Sequence, residues 1–342
     1  MTQSVLIVGS STNWSLESSY ARGFQRLGWD TYFWEPQKAL YNIARGYRVG
    51  RLLSTFLHVE SWLRKSNAEL LTVADKLRPN LILVIGTGGV RAGTLAQIKV
   101  RSPECAIFCI YPDSPHNLDS DRIHCLPFFD LVATSSPAWK RAFELLGAGR
   151  VRYLPFASDI DLHQPYNAGG RVPEVTYDVS FIGTWRPERE ELLERLVEFK
   201  LSIWGNDYWK RRTSPESTLR SRWGGRQAVG NEFAKVCSES RVLLNIMDTV
   251  TWPGPNMRVF EQPACGAFSL VSRTPAVLEL FTEGENIECF ESAEEARDKV
   301  RYYISHDSER QQIAQAGYRL VVQGGHTYVD RARQVVEWIE SD

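Results

Sequence analysis

The feature that most constrains this chain is a short, unbroken apolar run that stops at or beside a glycine and is followed by helical spacing. Ser4-Val5-Leu6-Ile7-Val8-Gly9 is the first such run, and Leu81-Ile82-Leu83-Val84-Ile85-Gly86 repeats it. Ala106 to Tyr111 and Leu131 to Thr134 follow, with the β-rich Thr31-Tyr32-Phe33-Trp34 between the first two runs. A strand buried on both faces needs an unbroken run rather than an alternating one, and such strands form parallel sheets covered by helices. Helical spacing fills the gaps. Residues 15–27 close at Gly28, residues 63–77 are periodic, and Ser136 is placed to cap a helix from Pro137 to about Gly147.

Residues 157–176 break this pattern, with Pro165, Gly169, Gly170 and Pro173 and little periodicity. The series then restarts at Tyr177 to Gly183, Leu201 to Gly205, Val242 to Ile246 and Ala267 to Val271. The expectation is an α/β chain of two Rossmann-like domains facing each other across a cleft: residues 1–160, a linker over 161–176, and a second domain over 177–325. A chain of 342 residues is long enough for two cores.

Charge narrows the classes of function. The 40 Lys+Arg and 41 Asp+Glu give a net charge of −1, which excludes a chain basic throughout, so no nucleic-acid partner is expected. The balance conceals a split: residues 1–165 carry a net +4 and the remainder −5. Within 36–66, six basic residues (Lys38, Arg45, Arg48, Arg51, Arg64, Lys65) are mixed with Tyr41, Tyr47, Phe56 and Trp62. Such a segment suits either an anionic membrane surface or the solvated face of core-packed helices. No apolar run approaches the ~20 residues of a membrane span, and Met1 to Ser10 does not read as a signal peptide. The six cysteines include no C-x-x-C pair and sit mostly in apolar runs, so reduced, buried thiols of a cytoplasmic protein are expected.

Two segments carry chemistry. In Phe181-Ile182-Gly183-Thr184-Trp185-Arg186-Pro187-Glu188-Arg189 a strand ends, glycine turns the backbone and Pro187 starts a helix. A helix N-terminus beside Arg186 and Arg189 is suited to phosphate, although an ordinary turn with surface arginines reads the same way. Neither a Walker loop nor a dinucleotide fingerprint is present. In the second segment, Pro253-Gly254-Pro255 runs into Asn256-Met257-Arg258-Val259-Phe260-Glu261-Gln262-Pro263-Ala264-Cys265-Gly266-Ala267-Phe268. Its helix offers another N-terminus, and Glu261 lies three residues after Arg258 on the same side. That carboxylate can accept two ribose hydroxyls, or simply pair with Arg258.

These two segments, with His326-Thr327-Tyr328-Val329-Asp330-Arg331, resemble the CgeB-like (spore-maturation-protein-like) glycosyltransferases, which have the GT-B fold. The resemblance spans about residues 177–335; over 1–160 only the β-α pattern and Tyr111-Pro112-Asp113-Ser114-Pro115 match. It implies a transferase that takes a nucleotide-diphosphate sugar as co-substrate in its C-terminal domain and an acceptor hydroxyl in its N-terminal domain. The acceptor would be a glycan, a lipid-linked glycan or a small molecule, as in polysaccharide biosynthesis. By family pattern Arg189 meets the donor diphosphate with help from Arg186, Glu261 holds the ribose, and Asn256 and Arg258 lie beside the diphosphate or sugar. The base falls near Trp204-Gly205-Asn206 and the Ala228-Val229-Gly230 turn, and Gly183 counts among the donor-binding residues. Residues 326–342 are expected to pack back on the first domain. One departure stands out: the first glutamate of the family's Glu-x7-Glu falls at Pro253, which leaves the donor sugar and the stereochemical outcome open.

Loss of a nucleoside diphosphate needs its developing charge stabilised, and fixed arginines can do this without a metal. Asp113 is the candidate base or orienter facing the acceptor, with His116 second; a plain Asp-Ser-Pro turn is the competing reading of Asp113. Asp119-Ser120-Asp121 and Asp159-Ile160-Asp161 match a metal motif at the frequency chance allows, and the six histidines lack zinc spacing, so no metal is expected. The expectation is a cytoplasmic, metal-independent glycosyltransferase, peripheral to the membrane if 36–66 binds lipid. The alternatives are a nucleotide-sugar epimerase of the same fold or a non-catalytic nucleotide or glycan binder.

Overall fold

The computed structural model describes residues 2–45, 59–86, 88–167, 174–248 and 252–341. The chain divides into two compact units. The N-terminal unit is Met1–Pro155 with Val329–Asp342, and the C-terminal unit is Phe156–Tyr328. Of the expected linker, residues 168–173 lie outside the described residues, as do 46–58 of the basic segment.

Six strands build the first sheet: β1 (Ser4–Val8), β2 (Asp30–Trp34), β3 (Leu81–Ile85), β4 (Ala106–Tyr111), β5 (Leu131–Thr134) and β6 (Val151–Tyr153). Their order is β2-β1-β3-β4-β5-β6, and every pairing is parallel. Each residue of β3 is buried, which is why its sequence is apolar without alternation. The helices Glu60–Leu77 and Ala92–Arg101 bring Leu70, Ala74, Leu95 and Ile98 into a core with Ile82, Ile107 and Val132. Two helical readings change. The helix expected from residue 63 starts three residues earlier, at Glu60. The one expected from Pro137 begins as a 3-10 turn, Pro137–Trp139, before Lys140–Leu145. Ser136 precedes that turn but makes no capping bond, and its buried hydroxyl has no partner among the described residues. A 3-10 turn winds more tightly than the α-helical turn that a serine side chain normally caps.

The final helix, Tyr328–Glu340, belongs to the N-terminal unit from Val329 onward. Arg331 Nε donates to the Pro155 carbonyl at 2.9 Å, and Arg152 lies over the Trp338 ring. Both fasten this helix to the end of the first β-α series.

The second sheet holds β7 (Tyr177–Ile182), β8 (Leu201–Trp204), β9 (Ser240–Asn245), β10 (Ser269–Ser272) and β11 (Glu288–Phe290). The order is β11-β10-β9-β7-β8, again all parallel. Val179, Phe181, Ile203, Leu244 and Leu270 form the middle of its core, with Leu193 and Val300 from the covering helices. In each sheet the chain steps from the first strand to one neighbour and then returns to the other side. The order therefore reverses between β1 and β3 and between β7 and β9. Ligands of open parallel sheets bind in the crevice outside the carboxyl ends of such a pair. All six cysteines are free and buried, and burial pushes the Cys105 thiol up to about 12 and that of Cys125 to about 11. Among the described residues no helix is long and apolar enough to cross a membrane.

Candidate functional site

The reversal in the C-terminal unit lies where β7 runs out into Gly183-Thr184 and β9 into Ile246-Met247-Asp248. Arg189 fills this position from the helix Pro187–Glu194. Its Nε donates to the Ile246 carbonyl at 3.1 Å, its Nη1 to the Thr184 carbonyl at 3.0 Å, and its Nη2 pairs with Asp248 at 3.2 Å. The residue is 8% exposed and its guanidinium lies over the Phe181 ring. Burial pulls its pKa below the ordinary arginine value, and the Asp248 carboxylate opposes that shift. The side chain expected to reach out to a diphosphate is thus spent largely on clamping the ends of β7 and β9 together. Arg186 remains more open, 3.7 Å from the same Asp248.

The helix N-terminus expected to receive an anion here is a poor one. Pro187 has no N–H, the amides of Arg189 and Glu190 both bond to the Arg186 carbonyl, and Glu188 and Glu190 put negative charge in the first turn. Glu190 is itself held by Trp185 Nε1 and by the Ser214 amide.

On the β8 side of the crevice a small cavity of about 90 Å³ is lined by Gly183, Thr184, Trp204, Gly205, Val229 and Arg258, among others. The local backbone explains its shape. The Gly205 amide donates to the Arg226 carbonyl and Trp223 Nε1 donates to the Gly205 carbonyl, which fold the 223–229 loop over the end of β8. A Cβ on Gly205 would overlap the Gly183 carbonyl oxygen and come within 2.7 Å of Trp209 Nε1. Only glycine permits that approach, and Trp209 Nε1 uses it to donate to the Gly183 carbonyl at 2.9 Å.

The helix Arg258–Ala264 supplies the other wall. Arg258 bonds Glu261 through Nη1, and its guanidinium lies 4.6 Å from the centre of the Phe233 ring. Glu261 is 6% exposed. Its second oxygen faces His163 Nε2 at 3.6 Å, while His163 Nδ1 accepts the Asp159 amide at 3.3 Å. That bond leaves the ring proton on Nε2, toward the carboxylate. Asn256 is committed internally: it exchanges both amide bonds with Asn245, at 2.8 and 3.0 Å, and its Oδ1 also accepts the Arg258 amide. The helix start expected to face a ligand is therefore closed by Asn256.

The structure thus gathers Gly183, Trp204, Gly205, Val229, Arg258 and Glu261 at one edge of the second sheet, with Arg186 and Arg189 at its reversal. Asp248, Asn245 and His163 join them unannounced by the sequence reading. For Asp248 a signal existed, since a carboxylate just past a buried strand stands at a carboxyl end. His163 sits in the segment read as linker, and nothing in its spacing marked it. Past Asp248 a second cavity, of about 450 Å³, is lined by Glu188, Asp248, Trp252, Arg273 and Glu291.

Asp113 and His116 belong to the N-terminal unit. Asp113 is exposed just beyond the carboxyl end of β4, and His116 is exposed in the 3-10 turn Pro115–Asn117. Trp14, 61% exposed, stands in the loop after β1, beside the first sheet's own reversal.

Comparison with known proteins agrees with this architecture. Residues 186–337 match the model of the glycosyl transferase-like family. No curated protein matches the chain. Among solved structures, sucrose-phosphate synthase from Thermosynechococcus elongatus aligns at a TM-score of 0.71 and 14% identity, over 99% of this chain and 98% of its own. HepE from Anabaena, solved in complex with UDP-glucose, aligns at 0.67 and 15%, over 99% and 100%. Trehalose 6-phosphate synthase from Burkholderia multivorans aligns at 0.65 and 14%, over 100% and 99%. The fold is of the GT-B type, with two Rossmann-like parallel-sheet domains.

Proposed function

We propose that this chain is a glycosyltransferase that takes a nucleotide-diphosphate sugar in its C-terminal unit. The observation that carries the reading is Arg258, which lines the small cavity at the end of β8 and also holds the buried carboxylate of Glu261. One guanidinium then links a recess for a base to a carboxylate able to accept ribose hydroxyls. In this reading Trp204, Gly205 and Val229 flank the base, Glu261 takes the ribose, and Arg186 and Arg258 meet the diphosphate. Arg189 adds a fixed positive charge at the reversal. These guanidinium groups answer the charge of the departing diphosphate, so the reaction needs no metal. A uridine nucleotide is the first donor to try, because the HepE structures hold UDP and UDP-glucose. The resemblance noted above points the same way.

The acceptor is a hydroxyl of a glycan, a lipid-linked glycan or a small molecule. Asp113 serves as its base or orienter, and His116 is the second candidate for that role. The protein acts in the cytoplasm, and residues 36–66 give it peripheral contact with the membrane. Liposome co-sedimentation of wild type against a variant lacking those six positive charges tests the last point, and equal sedimentation overturns it.

Calorimetry with UDP, UDP-glucose, ADP-glucose and GDP-mannose tests the donor. Saturable binding of at least one, weakened tenfold or more in Glu261→Ala and Arg258→Ala, is the expected result. Binding of none, or binding indifferent to both variants, overturns the site. Transfer to an added acceptor by the purified protein excludes a binder without catalysis, and turnover of donor with no acceptor present favours an epimerase.

A further inference from the structure

A cavity of about 700 Å³ in the C-terminal unit lies away from the nucleotide edge. It opens at the amino-terminal ends of β9 and β10, between the helices Asn231–Ser238 and Asp307–Gln323. β9 is six residues long, so this cavity and the recess beside Trp204 lie at opposite edges of one sheet, ~20 Å apart at the rise of a strand. A volume of this order suits a small molecule.

Among the described residues its lining contains three arginines, Arg241, Arg310 and Arg319, and no aspartate or glutamate. That is a local reversal of sign, because residues 166–342 carry a net −5. Arg310 is 8% exposed. Its Nη1 bonds the Tyr303 carbonyl and pairs with Asp307, while its Nε and Nη2 have no partner among the described residues. A guanidinium that lines a cavity with two donor nitrogens uncommitted is placed to receive an anion. Arg241 pairs with Asp178 at 3.4 Å through Nη1, and Arg319 has no carboxylate partner among the described residues. Gln315 and Tyr318 add neutral polar groups, and Phe268 and Ala314 give an apolar wall.

We propose that this cavity is a second binding site, for a small molecule bearing a phosphoryl group. The three guanidiniums take the phosphoryl oxygens, as the forked geometry of arginine suits, and the apolar wall covers the remainder. The site stands apart from the proposed donor chemistry and does not depend on it.

Calorimetry of the full chain with inorganic pyrophosphate tests the proposal, using Arg319→Glu and Gln315→Glu. Both positions are exposed, so neither change threatens folding. A saturable site weakened at least tenfold by each variant and unmoved by Arg258→Ala is the expected result. No saturable binding overturns the proposal. So does binding that ignores both variants and vanishes in Arg258→Ala, which would place the pyrophosphate in the nucleotide recess. Failure of UDP to bind leaves this test unaffected and bears on the donor reading alone.

Discussion

Replacing Arg189 by methionine separates an anchor from a ligand-binding arginine. Methionine keeps an unbranched stem and removes the guanidinium that lies over the Phe181 ring. Three groups then lose a bond: the Ile246 carbonyl, the Thr184 carbonyl and the mostly buried Asp248 carboxylate. Breaking a buried pair from one side costs about 3–5 kcal/mol. Arg186 stays 3.7 Å from Asp248 and offsets part of the loss, so about 3 kcal/mol is expected. For a domain of this size that lowers Tm by roughly 6–12 °C. The double variant Arg189→Met with Asp248→Asn removes the carboxylate charge facing the lost guanidinium and regains part of the loss, a coupling that a double-mutant cycle reads directly. Urea unfolding with and without UDP is the assay. Unchanged unfolding of Arg189→Met together with a large loss of nucleotide affinity would refute the reasoning, because Arg189 would then be held by ligand rather than by the protein.

Three further outcomes follow from the same geometry. Gly205→Ala forces a Cβ against the Gly183 carbonyl and displaces the Trp209 hydrogen bond, so a loss of about 2–4 kcal/mol is expected by chemical denaturation, together with closure of the recess to nucleotide. Asn256→Ala strands the buried amide of Asn245 and costs about 1–3 kcal/mol, and Asn245→Ala in the same chain regains part of it; strict additivity of the two would contradict the reciprocal pair. Glu283 is held at about 2 by its hydrogen bond from Arg273, against an ordinary 4.5, with Lys299 assisting. A depressed carboxylate stabilises the fold fully above its unfolded pKa and loses that contribution as pH falls from about 4.5 toward 2. The Tm curves of wild type and Arg273→Ala should therefore converge over that interval, and curves that stay parallel would show that the pair contributes no pH dependence.

Most of the second sheet was legible because its signals are local. Each of the runs 177–183, 201–205 and 242–246 contains a strand, and Gly205 and Gly266 stand at the turns where apolar spacing stops. The grouping of Trp204, Gly205, Val229 and Arg258 came from the family resemblance, not from periodicity. The roles of individual polar groups did not follow. Arg189 and Asn256 read as ligands for a substrate, and in the structure each is also bonded within the protein. Ser136 read as a cap and makes no bond. Type and spacing show what a side chain can bond to, and the fold decides what it meets first.

By itself, the sequence determined the β-α alternation, the parallel and buried character of the strands, the division into two domains' worth of core, and the glycines that let loops approach one another. Burial periodicity and backbone freedom belong to neighbouring residues, so they survive in a linear reading. Only the tertiary structure decided which charges are spent. Arg189 meets a carbonyl 57 residues away at Ile246, Glu261 meets His163 from the preceding segment, and Arg310 keeps two of its nitrogens open beside a cavity. Such pairings depend on which strand lies beside which, and the sheet order that sets this is a property of the folded chain.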